Sequence, residues 1–174
     1  FGCRAGLTSL RAGHSGVWCE APGPEAPAVE RALRPRRSDA VHRVLLVGNS
    51  GSGKTSYAAR LVAAHAGPHL DLDTIVWEPG QVAVPRAPEA VRADLDAFTV
   101  RPGSWVVEGC YAELLEHASP RATALVFLNP GVEVCVAHCR ARPHEPHKYA
   151  SPEAQDAMLG GLLEWVRSYP ARDD

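Results

Sequence analysis

Gly48-Asn49-Ser50-Gly51-Ser52-Gly53-Lys54-Thr55 fits G-x-x-x-x-G-K-[ST], the spacing of a phosphate-binding P-loop. Glycines at three positions let the backbone curl until successive N–H groups converge on one anion. A following helix N-terminus adds partial positive charge. Lys54 is the residue to reach the β- and γ-phosphates, and the Thr55 hydroxyl is suited to Mg²⁺. With Ser56 on the first helical turn, Gly48 to Ser56 form the candidate nucleotide-binding set. The bland alternative is a glycine-rich turn that binds nothing. A match at every position, between an apolar strand and a helix, argues against it.

Carboxylates come next. Asp71 and Asp73 close the stretch His69-Leu70-Asp71-Leu72-Asp73-Thr74-Ile75-Val76-Trp77, read as a strand and its exit. Positions two apart on a strand share a face, so both acids can point into the crevice above a parallel sheet. One of the two then helps to hold a Mg²⁺ shell, and the other accepts a proton from a substrate hydroxyl. Solvated loop-entry acids or a helix cap are the alternatives. Glu108 ends the apolar run Trp105-Val106-Val107, with Gly109 letting the chain turn away. It suits the Walker-B role of holding Mg²⁺ through water, against the alternative of pairing with a surface arginine.

Arg140 and Arg142, followed by His144, His147 and Lys148, gather positive charge where a lid would stabilise a transferring phosphoryl group. Cations complementing a helix C-terminus are the equal alternative. Arg86 is a weaker candidate to meet an anionic acceptor. Cys135, His138, Cys139, His144 and His147 invite a zinc reading, but their spacing matches no ligand pattern, and cysteine is a common core residue.

The elements that must position these groups alternate from His42 onward. A strand at Arg43–Val47 precedes the P-loop helix, and Gly67-Pro68 breaks the chain before the second strand. A helix is predicted from Pro88 to Val100, a strand at Trp105–Glu108, and a brief helix from Tyr111 to His117. A strand at Ala124–Leu128 and a helix from Val132 to about Arg142 follow. Ser151-Pro152-Glu153 opens a last helix with a cap hydroxyl, a proline at the first position and an early acid. Such alternation predicts an α/β fold, a parallel sheet with helices on both faces.

Residues 1–41 differ in kind. Ala21-Pro22-Gly23-Pro24-Glu25-Ala26-Pro27 excludes a helix or central strand, and no sustained apolar period appears. A disordered or loosely packed extension is expected, with residues 42–174 as the domain. The arginines here suggest an organelle leader, but Glu20, Glu25 and Glu30 count against one. A net charge of −2 disfavours sequence-independent nucleic-acid binding, and no apolar run is long enough to span a membrane. Five scattered cysteines do not form a disulfide framework, which with a P-loop predicts a reducing, cytoplasmic setting.

From Arg43 onward the chain resembles the adenylate-kinase-like P-loop kinases, especially the topology-modulation-protein and shikimate-kinase-like subgroup. The resemblance rests on the P-loop, Leu70-Asp71-Leu72-Asp73 with Trp77, Trp105 to Tyr111, and Phe127-Leu128-Asn129-Pro130. Glu145-Pro146-His147-Lys148-Tyr149 looks like a subgroup signature whose role the sequence does not give. The resemblance implies a P-loop NTPase fold of strand order 2-3-1-4-5, counted from Arg43, and places Arg140 and Arg142 at the lid arginines. Four strands are legible, so order 2-3-1-4 with the fifth missing is expected. It implies an ATP- and Mg²⁺-dependent kinase with a small-molecule acceptor: Lys54, Asp73, Arg140 and Arg142 catalytic, and Thr55, Asp71 and Glu108 around the metal. An NTPase that hydrolyses ATP, or a nucleotide-binding regulatory protein without turnover, stays open.

Overall fold

The computed structural model describes residues 17–21, 40–79, 84–146 and 148–171, with the backbone alone for residues 17–21. Its centre is β2 (Arg43–Gly48), flanked by β4 (Trp105–Gly109) and β5 (Ala124–Leu128), with β3 (His69–Asp71) outside β4. All these pairings are parallel, in register from Arg43↔Trp105 and Val44↔Ala124. Counted from Arg43, the order is 2-3-1-4, as expected for the P-loop NTPase fold. Strands covered on both faces read as unbroken apolar runs, and β4 is buried along its whole length.

The two faces of the sheet carry separate cores. Val44, Leu46, Val106, Val126 and Leu128 face α1 (Lys54–His65), which contributes Ala58 and Leu61. Leu45, Trp105 and Val107 face the other way. They meet Leu72, Leu95 and Phe98 of α3 (Pro88–Thr99), and Leu115 and Ala118 of α4 (Ala112–Ala118). A third core joins α5 (Val132–Arg140) to α6 (Pro152–Ser168) through Cys135, Val136, Cys139, Leu163 and Val166. The cap of α6 forms as read: Ser151 Oγ accepts from the Ala154 N–H at 3.2 Å. Among the described residues no helix is long and apolar enough to cross a membrane.

Three expectations are corrected. The sheet has five strands, and the fifth comes from the N-terminal side. β1 (Val17–Ala21) pairs parallel with the outer edge of β5, from Val17↔Ala124 to Ala21↔Leu128. An open edge offers a row of unpaired N–H and C=O groups, and Val-Trp-Cys is a short run of strand-compatible residues that can take it. Most of the expected loose extension otherwise lies outside the described residues.

Second, Asp73 does not lie on the strand that Asp71 ends. β3 stops at Asp71, and Asp73–Val76 is a one-turn helix, α2. Asp71 Oδ1 accepts the Asp73 N–H at 3.0 Å, and Thr74 Oγ donates to the Asp71 carbonyl at 2.6 Å. These side-chain bonds draw the backbone out of the strand.

Third, α5 ends at Arg140, so Arg142 stands beyond the helix.

Candidate active site

The P-loop links β2 to α1 and is wedged between β5 and α5. A Cβ on Gly48 would stand 2.4 Å from the Leu128 carbonyl oxygen, and one on Gly51 2.3 Å from that of Cys135. Gly51 and Gly53 have φ of 77° and 92°, in the left-handed region where glycine is unstrained. Asn49 fastens the loop to α6: its amide donates to the Val166 carbonyl at 2.9 Å, and its Oδ1 accepts the Ser50 N–H at 2.8 Å. That carbonyl also accepts the Tyr169 N–H at the end of α6, since residue 170, its usual donor, is a proline. His138 Nδ1 lies 2.8 Å from the Gly51 carbonyl oxygen.

Within the loop, Lys54 Nζ donates to the carbonyls of Gly48 and Asn49, both at 3.0 Å. Ser52 Oγ is buried, without a hydrogen-bond partner among the described residues. An orphaned hydroxyl inside a curled glycine loop fits an anion cradle.

Beside the loop, Thr55 Oγ donates to Glu108 Oε2 at 3.2 Å. Glu108 is 1% exposed. Its other oxygen lies 2.9 Å from His69 Nε2, close enough for an ion pair although the two atoms are not aligned for a hydrogen bond. A buried carboxylate oxygen without an aligned donor, next to a threonine hydroxyl, is a donor set that suits Mg²⁺ and its water shell. Asp71 is the register partner of Glu108 across β3 and β4. Burial pushes the Asp71 carboxyl above the usual range, and the neighbouring Asp73 charge adds to the push. Among the described residues no three His, Cys, Asp or Glu side chains converge as a protein-only metal site. A P-loop site does not need one, because phosphates and water complete the shell.

Asp73 is the hub of a second cluster. Tyr111 Oη donates to its Oδ1 at 2.6 Å, Trp77 Nε1 donates to Tyr111 Oη at 3.0 Å, and Lys148 Nζ donates to Asp73 Oδ2 at 2.8 Å. Burial pulls the Asp73 carboxyl upward, but the Lys148 ammonium and the Tyr111 hydroxyl outweigh it and hold the group below its ordinary range. Lys54 of the P-loop adds to that effect, so the two centres share one field. Burial also pushes the Tyr111 hydroxyl upward, and Asp73 pushes it further, so it stays a donor.

No protein-family model matches the chain, and no curated protein matches it. Solved structures do. A shikimate kinase from Bacteroides thetaiotaomicron is 19% identical, covers 75% of this chain and 81% of its own, and superposes with a TM-score of 0.49. A gluconokinase from Sinorhizobium meliloti 1021 is 18% identical, with 74% and 95% covered and a TM-score of 0.45. A sugar kinase from Janibacter sp. HTCC2649 is 17% identical, with 76% and 98% covered and a TM-score of 0.45. At these identities the likeness is one of fold.

Of the residues predicted from sequence, Gly48 to Thr55, Asp71, Asp73 and Glu108 meet at the carboxyl ends of β2, β3 and β4. Arg142 joins them, donating to Ser50 Oγ at 3.2 Å and to Glu145 Oε2 at 3.2 Å. Ser56 and Arg140 are exposed, and Arg140 makes no hydrogen bond or ion pair among the described residues. Arg86 is committed elsewhere, to the Ile75 carbonyl at 2.7 Å and to Asp94 at 2.8 Å, where it pins its loop to α3. Cys135 and Cys139 are core residues of α5, and His147 lies outside the described residues. Tyr111, Trp77 and His69 were not assigned roles from sequence, and Lys148 was read only as part of the positive charge after α5. An aromatic two residues after the strand-ending Glu108-Gly109 was the available signal for Tyr111.

Proposed function

We propose that the chain is a P-loop phosphotransferase, moving the γ-phosphoryl group of ATP to a hydroxyl of a small acceptor. The observation that carries this reading is Asp73. A carboxylate held ionised, gripped by Tyr111 and within the electrostatic reach of Lys54, supports a role as base for a hydroxyl rather than as a phosphate ligand. Plain hydrolysis of ATP needs no such separate acceptor-side apparatus.

In this reading the curled backbone of Gly48 to Lys54 holds the β- and γ-phosphates, and the Lys54 ammonium exchanges its two carbonyl partners for phosphate oxygens. The Thr55 hydroxyl and the Glu108 carboxylate would hold Mg²⁺, with Asp71 beside them, and the ion would supply positive charge to offset that of the phosphates. The acceptor oxygen attacks the γ-phosphorus, the bond to the β–γ bridging oxygen breaks, and the hydroxyl proton passes to Asp73. ADP carries away the bridging oxygen's charge. Arg142, beside Ser50, meets charge spreading over the transferring group, while Arg140, exposed at the end of α5, adds positive charge to the same side. The acceptor is a small molecule, and neither nucleic acid nor membrane is part of the scheme. A cytoplasmic setting accords with the free thiols of Cys135 and Cys139.

The test is an acceptor screen with γ-labelled ATP and Mg²⁺, covering nucleoside monophosphates, nucleosides and small hydroxy acids. Label in an organic phosphate is expected. Label found only in inorganic phosphate would favour an NTPase, and tight ATP binding without ADP would favour a regulatory nucleotide sensor.

A further inference from the structure

The run Glu145-Pro146-His147-Lys148-Tyr149 has a role that its geometry supplies. A continuous path of polar contacts leads from the P-loop to the candidate base: Ser50 to Arg142 at 3.2 Å, Arg142 to Glu145 at 3.2 Å, Glu145 to Lys148 at 3.5 Å, and Lys148 to Asp73 at 2.8 Å. The path is braced, not loose. Lys148 and Tyr149 both donate backbone N–H groups to the Glu145 carbonyl, at 2.9 and 3.0 Å. The Glu145 N–H donates to Gln155 Oε1 at 2.8 Å, and Gln155 Nε2 donates to the Pro143 carbonyl at 3.2 Å, so the first turn of α6 buttresses the segment. These bonds present Lys148 from a braced backbone.

We propose that Lys148 is a positioning residue for the phosphoryl acceptor, fixing the Asp73 carboxylate by an ion pair and tying it to Glu145. Lys148 is three-quarters buried, with a side-chain exposure of 23%, and Asp73 is 33% exposed, so the pair is partly shielded from solvent. Tyr111 holds Oδ1 and Lys148 holds Oδ2, which leaves the carboxylate one orientation. Each oxygen keeps a lone pair for an incoming hydroxyl, and the ammonium keeps an N–H for the group beside that hydroxyl. The inference rests on the kinase reading, since an NTPase has no acceptor to position.

The experiment compares wild type, Lys148→Met, Lys148→Arg, Asp73→Asn and the Lys148→Met/Asp73→Asn double variant. Transfer to an acceptor and hydrogen exchange of residues 141–150 are both measured. Lys148→Met should lower kcat/KM for the acceptor about 10²-fold, the scale of a misplaced reacting group, and leave the KM for ATP near its wild-type value. Lys148→Arg should recover part of the loss. In the double variant, Lys148→Met should cost little beyond Asp73→Asn alone, because the two residues act as a unit. Independent, multiplying losses would overturn the proposal. So would faster exchange at 141–150 with acceptor kinetics unchanged, which is the mark of a purely structural tie. A wild type that transfers label to water alone defeats the kinase reading, and the positioning role with it. The exchange data would still report whether Lys148 ties the segment.

Discussion

The two ends of the crevice are held by different physics. The phosphate end is a backbone device, with one continuous loop packed so tightly between β5 and α5 that Gly48 and Gly51 leave no space for a Cβ. The acceptor end is a side-chain device. Asp73, Trp77, Tyr111, Arg142, Glu145 and Lys148 come from separate segments and are joined by ion pairs and hydrogen bonds. A steric scaffold answers to changes of size, and an electrostatic one answers to charge and pH. Perturbations of the two ends should therefore differ in kind, although Lys54 and Asp73 share one field.

The largest effect belongs to the phosphate end. Lys54→Ala should lower ATP turnover by about 10³-fold, the upper range for loss of one charge-stabilising donor. The melting curve should hardly move, because the side chain occupies a ligand site and leaves no core cavity. Turnover and circular dichroism, measured together, check both halves, and unchanged turnover would remove the basis for calling this a nucleotide site.

Between the two ends stands Glu108. Glu108→Gln keeps the shape beside Thr55 and His69 but removes the charge. The Mg²⁺ concentration giving half-maximal rate should rise about tenfold or more, as for an altered metal-site partner. A Mg²⁺ titration that superposes on wild type would take Glu108 out of the metal's surroundings.

At the acceptor end, Tyr111→Phe removes the donor to Asp73 Oδ1 and the acceptor for Trp77 Nε1. Acceptor kcat/KM should fall about tenfold, the scale of a hydrogen bond to a charged group, with ATP binding unaffected. Equal losses in ATP and acceptor parameters would mean the two ends are not separable.

The smallest effect is one of stability, and it contrasts neighbouring acids. The Asp71 carboxyl is raised by burial and by Asp73, so its ionised form is less favoured in the folded chain than in the unfolded one. Asp71→Asn should raise the melting temperature at neutral pH, and the gain should fade as pH falls through the raised folded pKa, to be gone below about 4, where Asp71 is protonated in both states. Asp73, lowered by Lys148 and Tyr111, has the opposite sign: its contribution is present above the ordinary carboxylate pKa and is lost as pH falls through the folded value. Parallel pH profiles for Asp71→Asn and Asp73→Asn would contradict this assignment.

The same contrast explains what the sequence could disclose. A P-loop is contiguous, and its backbone conformation is dictated by glycines at fixed spacing, so its residues and the flanking strand and helix were readable directly. Asp73 was readable by type but not by geometry, because the turn-forming bonds of Asp71 and Thr74 end β3 two residues before it. Lys148 stands 75 residues from its partner, and nothing local marks a pairing across that distance. β1 escaped notice because its short strand-compatible run, Val-Trp-Cys, sits beside a proline- and glycine-rich stretch, and the open edge of β5 is what gives it a place. Arg140 and Arg142 looked equivalent, yet the end of α5 leaves one exposed and brings the other to Ser50.

The division between a phosphate end and an acceptor end is tested most directly by the fate of labelled phosphate in Asp73→Asn, measured beside its affinity for ATP. Asparagine keeps the shape and the Tyr111 contact while removing the proton acceptor and the charge. Transfer of label to the acceptor should fall about 10²-fold, the usual scale of a general base, with the Kd for ATP and the Mg²⁺ requirement close to wild type. A variant that still phosphorylates its acceptor at the wild-type rate, or that loses ATP binding in step with transfer, would contradict the division.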